Sequence, residues 1–346
     1  MGKLIPIVFL CAEKNSTSDF KSEISILNIS VQKSAYQCFI IFNLFFDKEN
    51  SVMRSKKYRF YDEMKENLMR LKPEEMEITF KRINKQNRKG LHGCTLQMPG
   101  AVAAPTFYLE DLWKAYEDGT SAEDIAVSLI NYARENNLDA LPGGIDIEDY
   151  EDARKNLGLM VIGEEKNREY LSDIIYKKIE DLALIPIIFT NDSYGTGNIK
   201  VREEFLSMWG VTAGQVMEEA MENAPKLMPA TFRHLNDIIC TQGDGEENDG
   251  LFVISNKYYA GGAAVAFYPG FLDCIGMALD KDLFILPSSI NELILITDSG
   301  QDPEKLLQIV KEVNRTQLEP GDVLTDAVYH YSRKGGGFHK LLPAQA

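Results

Sequence analysis

Three things are missing from this chain: a disulfide pattern, a complete nucleotide-binding fingerprint and a long apolar run. Its five cysteines (Cys11, Cys38, Cys94, Cys240 and Cys274) are odd in number and scattered, with no CxxC pair. Neither a disulfide framework nor a zinc ribbon is therefore indicated, and free thiols suit a reducing cytosol. No GxxxxGK[ST] or GxSxG motif occurs, and no GxGxxG is complete. The apolar runs Leu4–Ala12 and Cys38–Phe46 span nine residues each, about half of what a helix needs to cross a bilayer. A lone Lys3 before the first run, with no small-residue cleavage site after it, makes a poor secretory signal.

Positive charge is also short. The chain carries 37 basic against 52 acidic residues, a net charge of −15. Such a field repels nucleic-acid phosphates and anionic membrane surfaces, so neither is expected as a partner, while a protein partner stays open. What is present is ordinary for a globular protein: 45% hydrophobic and 26% charged residues over 346 positions. That length buries a sizeable core without disulfide or metal staples.

Residues 1–52 stand apart. They hold five lysines and five acids, so the whole −15 falls in residues 53–346. They lack sustained periodicity, and the composition breaks at Met53. Lys48-Glu49 is also encodable by a ribosome-binding purine run just upstream of that methionine. The expectation is that residues 1–52 are upstream read-through or disordered. Residues 53–140 then form an N-terminal α+β subdomain and 141–346 a C-terminal one, with the Leu141–Asp152 stretch as the boundary.

Beyond Met53 the pattern predicts a helix over Arg54–Leu71, stopped by Pro73, because Phe60, Met64, Leu68 and Leu71 share a face. Alternation at Met76, Ile78 and Phe80 predicts a strand, with a second over Leu91–Met98. Thr106 is expected to cap a helix through Leu109, Leu112, Trp113 and Tyr116, and Ser121 with Asp124 to open the next. Leu182–Phe189 reads as a buried strand whose Pro186 argues for an edge or a bulge. Helices are expected at Arg202–Trp209 and Thr212–Asn223, and an interrupted one over Gly262–Leu279, broken at Pro269. Leu251–Ile254, Leu283–Leu286, Leu293–Ile296 and Val328–Tyr331 read as strands. A helix starts at Asp302-Pro303. The order of elements lacks βαβ alternation, which predicts an α+β fold of mixed, largely antiparallel sheet segments packed with helices.

Several segments occur in a telling order: Glu165-Lys166-Asn167, Leu206–Val211, Ala224–Pro229, Gly262–Ala264, Tyr268–Gly270, Leu286–Ser289, Glu292 and Val313–Gln317. Together they resemble the bacterial family called domain of unknown function 5688, seen mainly in anaerobic Gram-positive bacteria. The likeness runs from about Arg54 to Tyr331. Residues 182–297 are more faintly similar to unknown-function family 1444. Neither family implies an activity.

The candidate catalytic residues are Ser288, Ser289 and Glu292, within Pro287-Ser288-Ser289-Ile290-Asn291-Glu292. A serine nucleophile with Glu292 as base or orienting acid would suit a hydrolase, yet it needs an adjacent base and an oxyanion hole. The same residues are ordinary turn chemistry between two strands. Gly195-Thr196-Gly197-Asn198 has the strand-before, helix-after setting of a phosphate loop but reads better as a turn. The acidic stretch Gly243–Gly250 has no EF-hand spacing. His92 and Cys94 share a strand face with no second pair to complete a metal site. Trp113 and Trp209 read as core residues. No cofactor and no metal is expected. The leading expectation is a soluble, cytoplasmic, non-catalytic binding or regulatory protein. The alternatives are a hydrolase-like enzyme using the Ser288/Ser289/Glu292 loop, or an acidic decoy that mimics DNA.

Overall fold

Helix and strand signals in this chain resolve into an α+β fold with three antiparallel sheets among the described residues. The computed structural model describes residues 56–101, 104–136, 144–192, 195–239, 250–335 and 337–341. Residues 1–52 and most of the acidic stretch after Gln242 lie outside them, as does the proposed boundary up to Gly143. The described chain divides into two compact units, a smaller one of described residues within 56–83 and 90–136 and a larger one of residues 84–89 with those from 144 onward.

In the smaller unit a helix over residues 56–71 buries Phe60, Met64 and Leu68 completely. The strands β1 (Glu77–Lys85), β2 (Arg88–Gln97) and β3 (Thr106–Tyr108) form its sheet. The helices Leu109–Glu117 and Ala122–Glu135 follow. The apolar stripe of residues 56–71 meets Cys94 and Leu96 of β2 and Ile125, Leu129 and Ile130 of the last helix in one core. Thr106 is not a helix cap. It pairs with Thr95 across β2–β3, their hydroxyls 2.7 Å apart, and the helix begins only after Tyr108. A β-branched residue beside Phe107 and Tyr108 favours the strand. Ser121 caps the next helix, accepting the Asp124 N–H at 3.0 Å.

The larger unit holds two sheets. In the first, β4 (Leu157–Gly163) and β6 (Leu182–Asp192) pair along their lengths, and β5 (Lys177–Ile179) and β7 (Gly195–Lys200) share the other side of β6. Pro186 therefore lies in a central strand, not at an edge, and its missing N–H is accommodated locally. Its carbonyl accepts from Val201 N–H at 3.1 Å, while the Val201 carbonyl accepts from Ile175 N–H at 3.1 Å instead of from residue 186. Proline sits at the gap between β5 and β7, where no donor is wanted. The buried run β4 was not anticipated from sequence, because its seven apolar or glycine residues show no alternation.

The second sheet has the order β13-β12-β10-β11-β9-β8. Its strands are β8 (Ala230–His234), β9 (Leu251–Asn256), β10 (Leu283–Pro287), β11 (Leu293–Thr297), β12 (Tyr329–Ser332) and β13 (Gly337–Lys340). The helices Glu203–Trp209 and Ala213–Leu227 stand where expected, the second opened by a Thr212/Gln215 capping box and carrying Pro225 in its last turn. The Gly262–Leu279 stretch breaks at Tyr268-Pro269-Gly270 into a short 3-10 turn and the helix Phe271–Leu279. The helix Pro303–Thr316 starts on an Asp302 cap with proline in its first turn and buries Leu306, Leu307, Val310 and Val313.

Candidate functional site

The β10–β11 hairpin brings Ser288, Ser289 and Glu292 together in its connection. The Ser288 hydroxyl donates to Glu292 Oε1 at 3.3 Å. Ser289 N–H donates to the Glu292 carbonyl at 3.1 Å, and Asn291 N–H to Ser289 Oγ at 3.0 Å. Neighbouring segments close over this turn. Ser255 Oγ donates to the Asn291 carbonyl (2.6 Å), Gly261 N–H to Asn291 Oδ1 (2.9 Å) and Ile290 N–H to the Asp322 carbonyl (2.9 Å). A Cβ at Gly262 would meet the Asn291 carbonyl at 2.4 Å and Asn256 N at 2.7 Å, so only glycine fits there.

Ser288 is 1% exposed, which leaves a substrate no approach to its hydroxyl. Three of the four histidines are engaged elsewhere. His92 Nδ1 meets Glu110 at 2.7 Å, His330 Nε2 meets Asp298 at 3.0 Å, and His234 accepts from Asn236 N–H at 3.2 Å. Among the described residues no hydrogen bond joins a histidine to Ser288 or Ser289. Burial raises the Glu292 carboxyl above its ordinary range, only partly offset by the Ser288 hydroxyl. This is the chemistry of a closed turn, with its polar groups satisfied inside the fold.

The other sequence candidates separate. Gly195–Asn198 lies in β7, with Gly197 opposite Thr190 of β6, so it is a hairpin strand rather than a strand-to-helix loop. β6 runs on to Asp192, and the glycines pair with it instead of opening a helix. At the end of β7, Lys200 donates to Asn198 Oδ1 at 2.6 Å, and burial, with Lys85 and Arg202 nearby, lowers its ammonium to about 8. Residues 243–249 of the acidic loop lie outside the described residues. Cys94 is buried in the smaller core, which pushes its thiol up to about 12, and the His92 ring packs on Tyr61. Among the described residues no three His, Cys, Asp or Glu side chains gather to hold a metal. Trp113 packs with Phe60 and Tyr116. Trp209 packs with Phe205 and Tyr150 and donates to the Ile147 carbonyl at 2.8 Å.

A second polar cluster surrounds a cavity of about 140 Å³ in the larger unit. Gly163 ends β4, and the turn Glu165–Asn167 that follows supplies Glu165 and Lys166. Asp181 comes from the tight β5–β6 connection, where Glu180 takes a left-handed φ of 53°. Leu324, Thr325 and Asp326 come from the segment before β12, and Lys340 from the end of β13. Tyr329 and Lys340 are cross-strand partners, and both reach Asp181. The tyrosine hydroxyl donates to Oδ1 at 2.7 Å and the lysine ammonium to Oδ2 at 2.7 Å. The hydroxyl also meets Thr325 Oγ1 at 2.9 Å. Burial, then the Asp181 charge, holds the Tyr329 hydroxyl far above the usual phenol range.

Beside this group, Lys166 Nζ donates to Asp326 Oδ2 at 3.0 Å and Asn314 Nδ2 to Asp326 Oδ1 at 2.8 Å. Burial alone would raise the Asp326 carboxyl, but those two donors outweigh it and the net direction is down. The floor is close-packed backbone, since a Cβ on Gly163 would meet the Leu324 carbonyl at 2.6 Å. Sequence reasoning missed this cluster. Its residues are spread from 163 to 340, and lone lysines and aspartates look like solvated surface. Two segments that had already stood out, Glu165-Lys166-Asn167 and Val313–Gln317, each supply a member.

The sealed turn, and every member of the cavity cluster except Lys340, lies within the stretch that carries the family resemblance, and a family model for a family of unknown function, DUF5688, matches residues 57–333. The chain belongs to DUF5688. No curated protein and no solved structure matches it. In this DUF5688 protein no helix among the described residues is long and apolar enough to cross a membrane.

Proposed function

We propose that this DUF5688 protein is a non-catalytic binding or regulatory protein that takes a small polar molecule into the cavity lined by Lys166, Asp181, Asp326 and Lys340. The observation that supports it is the pairing of charges around an open space: two ion pairs line a cavity of about 140 Å³. An engineered cavity of about 150 Å³ takes a benzene-sized guest, so the space suits a molecule of about six heavy atoms. A reducing cytoplasm is proposed as its location, because Cys94 and Cys274 are free thiols and Cys274 is exposed.

The two alternatives have less behind them. The Ser288/Ser289/Glu292 loop has a buried hydroxyl and no histidine base within the described residues. A DNA mimic needs carboxylates gathered on one face, whereas many here alternate with basic partners, as in Arg70–Glu123, Arg154–Glu219, Lys178–Glu164 and Lys226–Glu222. Native mass spectrometry of gently purified protein tests the binding reading. The expected result is a small non-covalent adduct that is lost on denaturation and absent from Gly163→Ala, whose methyl crowds the cavity floor. An unliganded protein that hydrolyses activated esters, and loses that activity in Ser288→Ala, would establish the enzyme reading instead.

A further inference from the structure

We infer that the cavity selects a zwitterion of amino-acid size, one bearing both an ammonium and a carboxylate group. This rests on the binding reading above and names its ligand class. The lining carries two cations, Lys166 and Lys340, and three carboxylates, Glu165, Asp181 and Asp326, a net of −1. A plain anion such as phosphate meets a negative net field there, and a plain cation meets two ammonium groups. A molecule with both charges finds a partner for each.

The ion pairs already present make exchange easy. The Lys166 and Asp326 side chains are 56% and 43% exposed, and those of Lys340 and Asp181 are 31% and 25% exposed. Pairs this wet are worth little to the fold, so a ligand that offers a carboxylate to a lysine and an ammonium to an aspartate replaces them at small cost. The aspartates stay aimed meanwhile. Asp181 keeps its bond from the buried Tyr329 hydroxyl, and Asp326 keeps its bond from the Asn314 amide, itself tied to the Thr325 carbonyl at 2.9 Å. Each of the two aspartates thus has one oxygen held by a buried donor and one held by a lysine free to change partner. That division suits a receptor whose fixed half is built into the fold.

Titration calorimetry of the full chain with L-alanine and L-serine tests this, with L-alaninamide, N-acetyl-L-alanine and inorganic phosphate as probes that lack one of the charges. The expected outcome is saturable binding of at least one zwitterion, weakened about tenfold or more when either charge is removed. Lys340→Met and Lys166→Met should weaken the zwitterion while keeping the far-ultraviolet circular dichroism and melting curve of the parent. Phosphate or N-acetyl-L-alanine binding as tightly as L-alanine would overturn the inference. So would the absence of heat from either zwitterion in protein shown to be folded. If that absence comes with an adduct in the native mass spectrum, only the ligand class fails; with no adduct, the binding reading fails too.

Discussion

The larger unit contains two polar clusters of opposite character. The turn of residues 287–292 is sealed: its serines, asparagine and glutamate spend their hydrogen bonds on one another and on neighbouring backbone. The cavity group is open: its lysines and aspartates are paired, but through contacts that remain partly exposed to solvent. The lesson is that residue type alone does not mark a site. A serine near a glutamate can be turn chemistry closed off inside the fold, and a surface-like lysine becomes informative when it borders a space.

Four substitutions sharpen or break that contrast. Gly262→Ala should have the largest effect, a loss of about 3 kcal/mol or more in urea unfolding, because the new methyl strikes backbone on two sides of the sealed turn. A loss under about 1 kcal/mol would show that the turn is looser than described. Tyr329→Phe should cost about 1–2 kcal/mol, since Asp181 and Thr325 both lose a buried partner. An unchanged midpoint would mean that water replaces the hydroxyl and that the fixed half of the cavity is not rigid.

Glu292→Gln should stabilise the protein at pH 7 and have little effect near pH 4. The sign follows from burial raising the folded carboxyl above its unfolded value. The native state then holds its proton more tightly, and stability falls as pH rises from the unfolded value through the folded one. Glutamine removes that loss. Denaturant titrations at the two pH values check it, and a glutamine that destabilises at pH 7 would return Glu292 to consideration as a working ionised group. Lys340→Met should change stability least, by under about 1 kcal/mol, because its pair with Asp181 still reaches solvent. A large loss would erase the distinction between the sealed and the open cluster.

Much of the architecture was legible in the sequence. The Phe60-Met64-Leu68 stripe, the Ser121 cap, the Asp302-Pro303 start and the Leu283 and Leu293 strands carry local signals, and each element stands where its signal puts it. Thr106, Pro186 and Gly195–Asn198 were misread for one physical reason: the deciding contacts come from residues distant in sequence or from pairings a local pattern does not contain. Thr95 recruits Thr106 into a sheet, Val201 and Ile175 make room for Pro186, and the length of β6 absorbs the glycines. The cavity shows the same limit. Asp181 and Lys340 meet only because β12 and β13 return to the β5–β6 corner, and nothing near either residue says so.

Pro186 has a bearing on how the chain finds its pairing. Side chains in a strand repeat every two residues, so a shift of two positions between β6 and β7 would keep every face correct and go unpunished by burial. Yet the shift would set the proline against a carbonyl that demands a donor, and leave Ile175 without the Val201 acceptor it now uses. One absent hydrogen thus works as a notch on the strand. It penalises mispaired sheets that hydrophobicity would accept, protecting fidelity during assembly rather than strength once assembled.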